Sequence, residues 1–119
     1  MAWKTLFHDA FNVDFAEFPY EIQTAIAAKT RLLGKIGPTL ARPYADTLKG
    51  SKHANMKELR LFAGDGVWRI AFAFDPARQA IILVAGDKSG TNEARFYRSL
   101  IATADFRFDD HLSRLKRGK

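Results

Sequence analysis

The sequence has no cysteine, and it has only three histidines and four prolines among 119 residues. Without cysteine, the chain can form neither a disulfide framework nor a thiolate zinc site. The longest apolar stretch, residues 80–86, is far shorter than the roughly 18 residues that a membrane-spanning helix requires. Residues 1–4 show no apolar run and no small-residue cleavage site. We therefore expect a soluble, cytoplasmic protein that does not enter a membrane.

The motifs of several common enzyme classes are also missing. The sequence contains no glycine-rich phosphate loop and no serine nucleophile elbow. Its histidines, His8, His53 and His111, fall in three different predicted elements and lack the spacing of metal ligands. We therefore expect no metal ion and no cofactor. We interpret His111, which follows Asp109 and Asp110, as part of a solvent-facing helix surface.

Hydrophobic residues make up 47% of the chain and aromatic residues 13%, enough to build the core of one domain over residues 1–119. The formal net charge of +6 is unevenly placed. Residues 1–48 hold five basic and five acidic residues, whereas residues 49–119 hold 14 basic and 8 acidic ones. A basic surface of this kind indicates a polyanionic partner, usually nucleic acid. A charge that serves solubility alone is the other interpretation.

Hydrophobic periodicity predicts an α+β fold in the order strand, helices, three strands and helix. A helix that begins at Pro19 is expected to end at Gly37-Pro38, because glycine favours the left-handed cap and proline cannot continue a helix. Ser89 or Thr91 is the expected N-cap of the last helix. The predicted ranges are a strand at 3–8, a short helical stretch from 9 or 12, a helix at 19–36, a loop at 38–55, strands at 56–62, 67–74 and 80–85, and a helix at 91–116. The three later strands are expected to form an antiparallel meander, with 80–85 as the buried central strand. The helices are expected on one side of the sheet.

The predicted sheet and the start of the last helix carry a set of cations. Arg69 is the most informative of them, because it interrupts a nearly apolar strand, where an unpaired charge costs several kcal/mol. One interpretation is a structural ion pair with Glu58 or Asp87. The other is a functional surface on which the cations meet. The remaining cations are Lys49, Lys52, His53, Lys57, Arg60, Lys88, Arg95 and Arg98.

Several segments match a known group in order along the chain. They are residues 57–60 (KELR), 67–72 (VWRIAF), 75–78 (DPAR) and 81–88 (IILVAGDK), preceded by 48–53 (LKGSKH). On these segments the chain resembles the RelE/HigB superfamily of type II toxins, in the branch of phage-derived Gp49-like or HigB-like proteins. The resemblance covers essentially the whole chain. One departure is Asp87-Lys88-Ser89, where many relatives have a pair of lysines.

The resemblance implies a RelE-like fold, in which a small curved antiparallel sheet packs against N-terminal helices and is followed by a C-terminal helix. It also implies ribosome-dependent cleavage of mRNA, and neutralisation by a helix-turn-helix antitoxin of the HigA type in a hetero-oligomer. Carried over to this chain, the implied catalytic residues are Arg60, Arg69, Lys88, Lys57, His53 and Tyr97. The residues expected to bind RNA or the ribosome are Lys49, Lys52, Arg78, Arg95 and Arg98.

The implied chemistry suits these residue types. RNA supplies its own nucleophile, the 2′-hydroxyl, so an enzyme must remove its proton, stabilise the charge on phosphorus and protonate the leaving oxygen. Arg60 and Arg69 suit the second task because guanidinium groups bind phosphate in a bidentate manner. The base is either a lysine or His53, and Lys57 or Lys88 is a candidate proton donor. Two other functions stay open: a ParE-like gyrase inhibitor, and a non-catalytic phage-derived module that binds nucleic acid or a partner.

Overall fold

A computed structural model describes residues 2–118, so that Met1 and Lys119 lie outside the described residues. Within residues 2–118, none of the helices combines the length and hydrophobicity that crossing a membrane requires. The elements are β1 (Lys4–Phe7), α1 (Asp9–Ala16), α2 (Tyr20–Ile36), a 3-10 turn (Gly37–Thr39), β2 (Ala45–Thr47), β3 (Met56–Ala63), β4 (Gly66–Phe74), β5 (Gln79–Asp87) and α3 (Glu93–Lys116).

The strands form a five-stranded sheet in the order β1-β5-β4-β3-β2. The antiparallel meander of β3, β4 and β5 is confirmed, and so is the α+β class. β5 lies inside the sheet, as predicted, and its residues Ile81, Ile82 and Leu83 are at most 1% exposed. β1 pairs parallel to β5, with Leu6 opposite Ile81, so the sheet is mixed rather than wholly antiparallel.

Helices cover both faces of the sheet, so the expectation that they lie on one side was wrong. α1 and α2 pack on one face, where Ile26 and Leu33 meet Leu59 and Ile70. α3 packs on the other face. Side chains alternate between the two faces of each strand, and on both faces they are apolar enough to pack against a helix. The α3 face of the core consists of Leu48, Met56, Ala71, Ala73, Ile81, Leu83, Leu100, Ala104 and Phe108.

The ends of the helices differ from the predictions by one or two residues. Pro19 is the N-cap of α2 rather than its first residue, and Asn92 caps α3, where its side chain accepts a hydrogen bond from the Arg95 amide. Gly37 ends α2 as predicted, with a φ of 80° that favours glycine. β2 was not predicted, because three residues within a loop carry no periodic pattern.

Three histidine–aspartate contacts fix α3 to the rest of the fold. The expectation that His111 faces solvent was wrong, since its side chain is only 16% exposed. Each contact joins a residue of α3 to a residue of another segment. They are His8 Nε2 with Asp110 Oδ2 at 2.9 Å, His53 Nε2 with Asp109 Oδ1 at 2.8 Å, and His111 Nε2 with Asp75 Oδ2 at 2.7 Å.

The fully buried carboxylate of Asp75 anchors both the β4–β5 turn and the end of α3. It accepts hydrogen bonds from the amides of Ala77 and Gln79, from the Gln79 side chain and from His111. Burial alone would raise the pKa of Asp75, but the hydrogen bonds from His111 and Gln79 outweigh burial and lower it. The carboxylate is therefore held ionised.

Substitution Asp75→Asn is expected to lower the free energy of unfolding by about 1–3 kcal/mol, because an amide offers one acceptor oxygen where the carboxylate offers two, so some of the buried donors lose their acceptor. The folded pKa lies below the ordinary value of 3.8. The contribution of the carboxylate is therefore complete above that pH and disappears as the pH falls through the folded pKa. Urea unfolding from pH 7 down to about pH 2 measures both effects. Asp65→Asn, in the exposed β3–β4 turn, is the control, and equal losses in both variants would contradict this role of Asp75.

Candidate active site

Three charged side chains project from neighbouring strands towards α3. Arg60 on β3 lies directly opposite Arg69 on β4. Glu58 precedes Arg60 by two residues, so both side chains are on the same face of β3. The opposite face of β3 carries Leu59 and Leu61, which pack under α2. The structure thus brings the two arginines to one side of the sheet, around a shared carboxylate.

Glu58 is 4% exposed and is contacted by three side chains. The Tyr97 hydroxyl, from the first turns of α3, donates to Glu58 Oε1 at 2.9 Å. Arg69 Nε donates to the same hydroxyl at 3.1 Å and lies 3.7 Å from Oε1. Arg60 Nε lies 3.4 Å from Glu58 Oε2. A buried carboxyl group requires hydrogen-bonding and charged partners of this kind.

The phenol of Tyr97 remains protonated in this setting. Burial raises its pKa, and the hydrogen bond to Glu58 raises it further, against the opposing effect of Arg69. The hydroxyl therefore stays a hydrogen-bond donor at neutral pH. Tyr97 both closes the site from the side of α3 and fixes the orientation of the carboxylate beneath it.

The two arginines differ in access. The Arg69 side chain is 8% exposed, and its guanidinium also donates to the Trp68 carbonyl at 3.1 Å. The Arg60 side chain is 29% exposed. Within residues 2–118, the buried Nε of Arg60 has no hydrogen-bond partner. Because more of its side chain is exposed, Arg60 is the arginine that an incoming anion can reach, while Arg69 contributes its charge from beneath Tyr97.

Two lysines complete the positive surroundings of Tyr97. Lys88 Nζ lies 5.7 Å from the centroid of the Tyr97 ring and 3.4 Å from Glu93 Oε2. Lys49 is exposed and lines a cleft of about 340 Å³ whose other wall includes Glu58 and Tyr97. The structure therefore gathers Arg60, Arg69, Lys88 and Tyr97, with Lys49 at the entrance. We call these residues, together with Glu58, the arginine cluster.

The remaining histidine and lysine candidates lie elsewhere. His53 and Lys52 both bind Asp109, at 2.8 and 2.6 Å, and the pKa of Asp109 is lowered by Lys52 and, to a lesser extent, by His53. Asp109 comes twelve residues after Tyr97 on α3, which places it about 18 Å further along the helix axis. Lys57 projects towards the α2 face, since it alternates with Glu58.

The residues predicted to bind RNA or the ribosome also lie in different parts of the fold. Arg95 and Arg98 are exposed on the first turns of α3, beside the arginine cluster. Arg78 lies in the β4–β5 turn, where its guanidinium stacks over the Trp3 ring at 4.5 Å. That turn begins about 17 Å along β4 from Arg69. The expectation that the cations of the predicted sheet share one surface was thus wrong for Lys52, His53 and Lys57. Arg78, predicted to bind RNA or the ribosome, also lies away from the arginine cluster.

The sequence identified Glu58 only as one of two alternative anions for Arg69. The other, Asp87, accepts hydrogen bonds from the Ser89 side chain and from the amides of Val67 and Ser89 instead. These bonds, the Ser89 hydroxyl first, lower its pKa. The two-residue spacing of Glu58 and Arg60 places both on one face of β3, and this spacing could have predicted that one carboxylate contacts both arginines.

Comparison with known proteins establishes the family. Residues 13–109 match the family described as "Phage derived protein Gp49-like (DUF891)", which is most of the chain. The chain therefore belongs to this family, and the RelE-like fold that the resemblance implied is consistent with the structure.

Two relatives come from Mycobacterium tuberculosis. The chain is 44% identical over 97 residues to a protein named "Putative toxin HigB2", and the match covers 81% of this chain and 48% of that protein. It is 46% identical over 93 residues to "Putative toxin HigB3", with 78% and 79% covered. The chain thus spans about half the length of the first relative and about four fifths of the second.

Substitution Tyr97→Phe is expected to destabilise the protein by about 1–3 kcal/mol, because buried Glu58 and Arg69 lose the hydroxyl that lies between them. Chemical unfolding monitored by circular dichroism measures the difference. Tyr20→Phe is the matched control, since Tyr20 is 82% exposed, and its effect should stay within about 0.5 kcal/mol. Indistinguishable midpoints for the two variants would show that the hydroxyl has no such role.

Proposed function

We propose that this protein is the toxin of a type II toxin–antitoxin system and that it cleaves mRNA on the ribosome. The observation that carries the proposal is the pair of arginines at one register position of β3 and β4, held by a buried carboxylate and reachable at Arg60. Membership of the Gp49-like family and the toxin names of both mycobacterial relatives support it.

In the proposed reaction, the 2′-oxygen of a ribose attacks the adjacent phosphorus and the bond to the 5′-oxygen breaks. The products are a 2′,3′-cyclic phosphate and a 5′-hydroxyl, with one proton removed from the nucleophile and one delivered to the leaving oxygen. Arg60 binds the phosphate oxygens, and Arg69 adds positive charge behind it. Lys88, whose Nζ lies 5.7 Å from the centroid of the Tyr97 ring, is the group proposed to give or take a proton. His53 and Lys57 are directed away from this phosphate, His53 towards Asp109 and Lys57 towards the α2 face.

A site of this kind is weak without a second component, because only part of it faces solvent. The proposed role for the ribosome is to present the mRNA in an extended, accessible form. The exposed cations Lys49, Arg95 and Arg98 flank the arginine cluster and would contact ribosomal RNA. A helix-turn-helix antitoxin that binds the toxin in a hetero-oligomer would keep this surface from the ribosome.

Expression of the wild-type protein is expected to arrest growth and to produce new mRNA ends at ribosomal A-site codons. Arg60→Ala should reduce cleavage at least 100-fold, because one charged contact to the transition state is worth several kcal/mol. Arg69→Ala should do the same. Primer extension on a defined transcript in a reconstituted translation system measures the effect. Arg78→Ala is the control, since its guanidinium stacks on Trp3 at the far end of β4.

The outcome also distinguishes the other two functions. Growth arrest with DNA damage and intact mRNA would indicate a gyrase inhibitor instead. Absence of growth arrest in the absence of the antitoxin would indicate a binding module. Cuts that persist unchanged in both Arg60→Ala and Arg69→Ala would refute the assigned roles. Thermal unfolding of each variant separates a lost contact from a lost fold.

A further inference from the structure

An exposed phenylalanine lies beside the reachable arginine. Phe62 is 81% exposed, although large apolar side chains on sheets are usually covered. It follows Arg60 by two residues on β3, so the two side chains share a face and start about 7 Å apart. A single exposed apolar residue is common on protein surfaces. The neighbours of Phe62 therefore decide whether it has a function.

Phe62 lines a groove of about 430 Å³ at the edge of the sheet. Pairing between β2 and β3 ends at Ala45 and Leu59, and the amide of Arg60 makes a last hydrogen bond to the Tyr44 carbonyl at 2.8 Å. Beyond that bond the edge of β3 opens into the groove. Its lining includes two aromatic residues and two cations, and its remaining members are small or apolar. The lining residues are Ala25, Ala28, Lys29, Pro43, Tyr44, Arg60, Leu61 and Phe62.

Two aromatic residues and two cations line this groove. Tyr44 is 44% exposed, and Lys29 Nζ lies 4.9 Å from the centroid of its ring. Among the described lining residues there is no carboxylate. Proteins bind single-stranded nucleic acid with this combination, because bases stack on aromatic faces while lysine and arginine neutralise the phosphates. A purely hydrophobic protein segment would gain nothing from the two cations.

Arg60 connects the groove with the arginine cluster. It lines the groove, and its guanidinium contacts Glu58 at the centre of the cluster. The groove lies where the edge of β3 meets α2, so a strand with a phosphate at Arg60 would reach it by passing over that edge, beside Phe62.

We propose that this groove binds the nucleotide next to the scissile phosphate, with its base stacked on Phe62 and a flanking phosphate at Lys29. This inference rests on the proposed cleavage of RNA. It adds to that function a subsite for a single-stranded nucleotide and a residue, Phe62, that holds the substrate in place.

Binding of a short, fluorescently labelled single-stranded RNA with 2′-O-methyl groups tests the proposal, because this probe cannot be cleaved through its 2′-oxygen. Phe62→Ala is expected to raise the Kd by about five- to a hundredfold, the range for loss of one stacked base. Phe62→Trp should restore binding, since a larger ring stacks as well. Phe106→Ala is the matched control, because Phe106 is 76% exposed on α3 and should leave the Kd unchanged.

Lys29→Ala provides a second, independent readout. Loss of one phosphate contact should lower the slope of log Kd against log salt concentration by about 0.7 for a single strand. Lys35→Ala is its control, since Lys35 is exposed on the same helix and does not line the groove. Phe62 and Lys29 are both at the surface, so unfolding curves should match the wild type.

The outcomes separate this inference from the proposed function. If the wild-type protein cuts mRNA while Phe62→Ala binds the probe and cuts mRNA as well as the wild type, the subsite is refuted and the function stands. If Phe62→Ala binds the probe normally but loses its antitoxin, the groove is a protein docking surface and the proposal is overturned. If no cleavage occurs but probe binding depends on Phe62, cleavage is refuted and the groove stands as an RNA-binding site.

Discussion

Two guanidinium groups at one register position of neighbouring strands repel each other, and a sheet tolerates this arrangement only if an anion lies between them. Glu58 is that anion. The alternation of side chains along β3 places Glu58 in contact with both Arg60 and Arg69. Glu58 also accepts a hydrogen bond from the Tyr97 hydroxyl on α3. Removing the carboxylate would leave buried Arg69 without a counter-charge, which is among the most destabilising changes a core can undergo. The site and the stability of this face therefore depend on the same group.

This dependence explains why α3 lies where it does. The helix supplies apolar side chains to the core, such as Leu100 and Phe108, and it also supplies Tyr97 to the carboxylate. Further along, α3 is fixed by hydrogen bonds between histidines and aspartates, His53–Asp109 among them. A helix held at several points along its length keeps Tyr97 above Glu58 without requiring that contact to be strong. The consequence is that Arg69 is covered while Arg60 stays open to solvent.

Most of the fold could be predicted from local patterns in the sequence. The apolar run of β5 identified a buried strand, and Gly37-Pro38 marked the end of α2. Features that depend on tertiary contacts could not be predicted from the sequence. A sequence does not say which face of a sheet a helix covers, so the position of α3 was missed. For the same reason His53 was grouped with the arginines, although its partner is an aspartate more than three turns beyond Tyr97 on α3.

The charge balance of the arginine cluster connects its structure with its proposed chemistry. Glu58 offsets one of the two arginine charges, and Glu93 lies within 3.4 Å of Lys88 at an exposed position, where screening by solvent weakens the interaction. A positive excess therefore remains at the surface of the cluster, and the exposed Lys49 adds to it. That excess is available to a phosphate at Arg60, whose side chain is 29% exposed. The anion would meet the exposed part of the guanidinium while the buried Nε stays 3.4 Å from Glu58, so one arginine serves both the fold and the site.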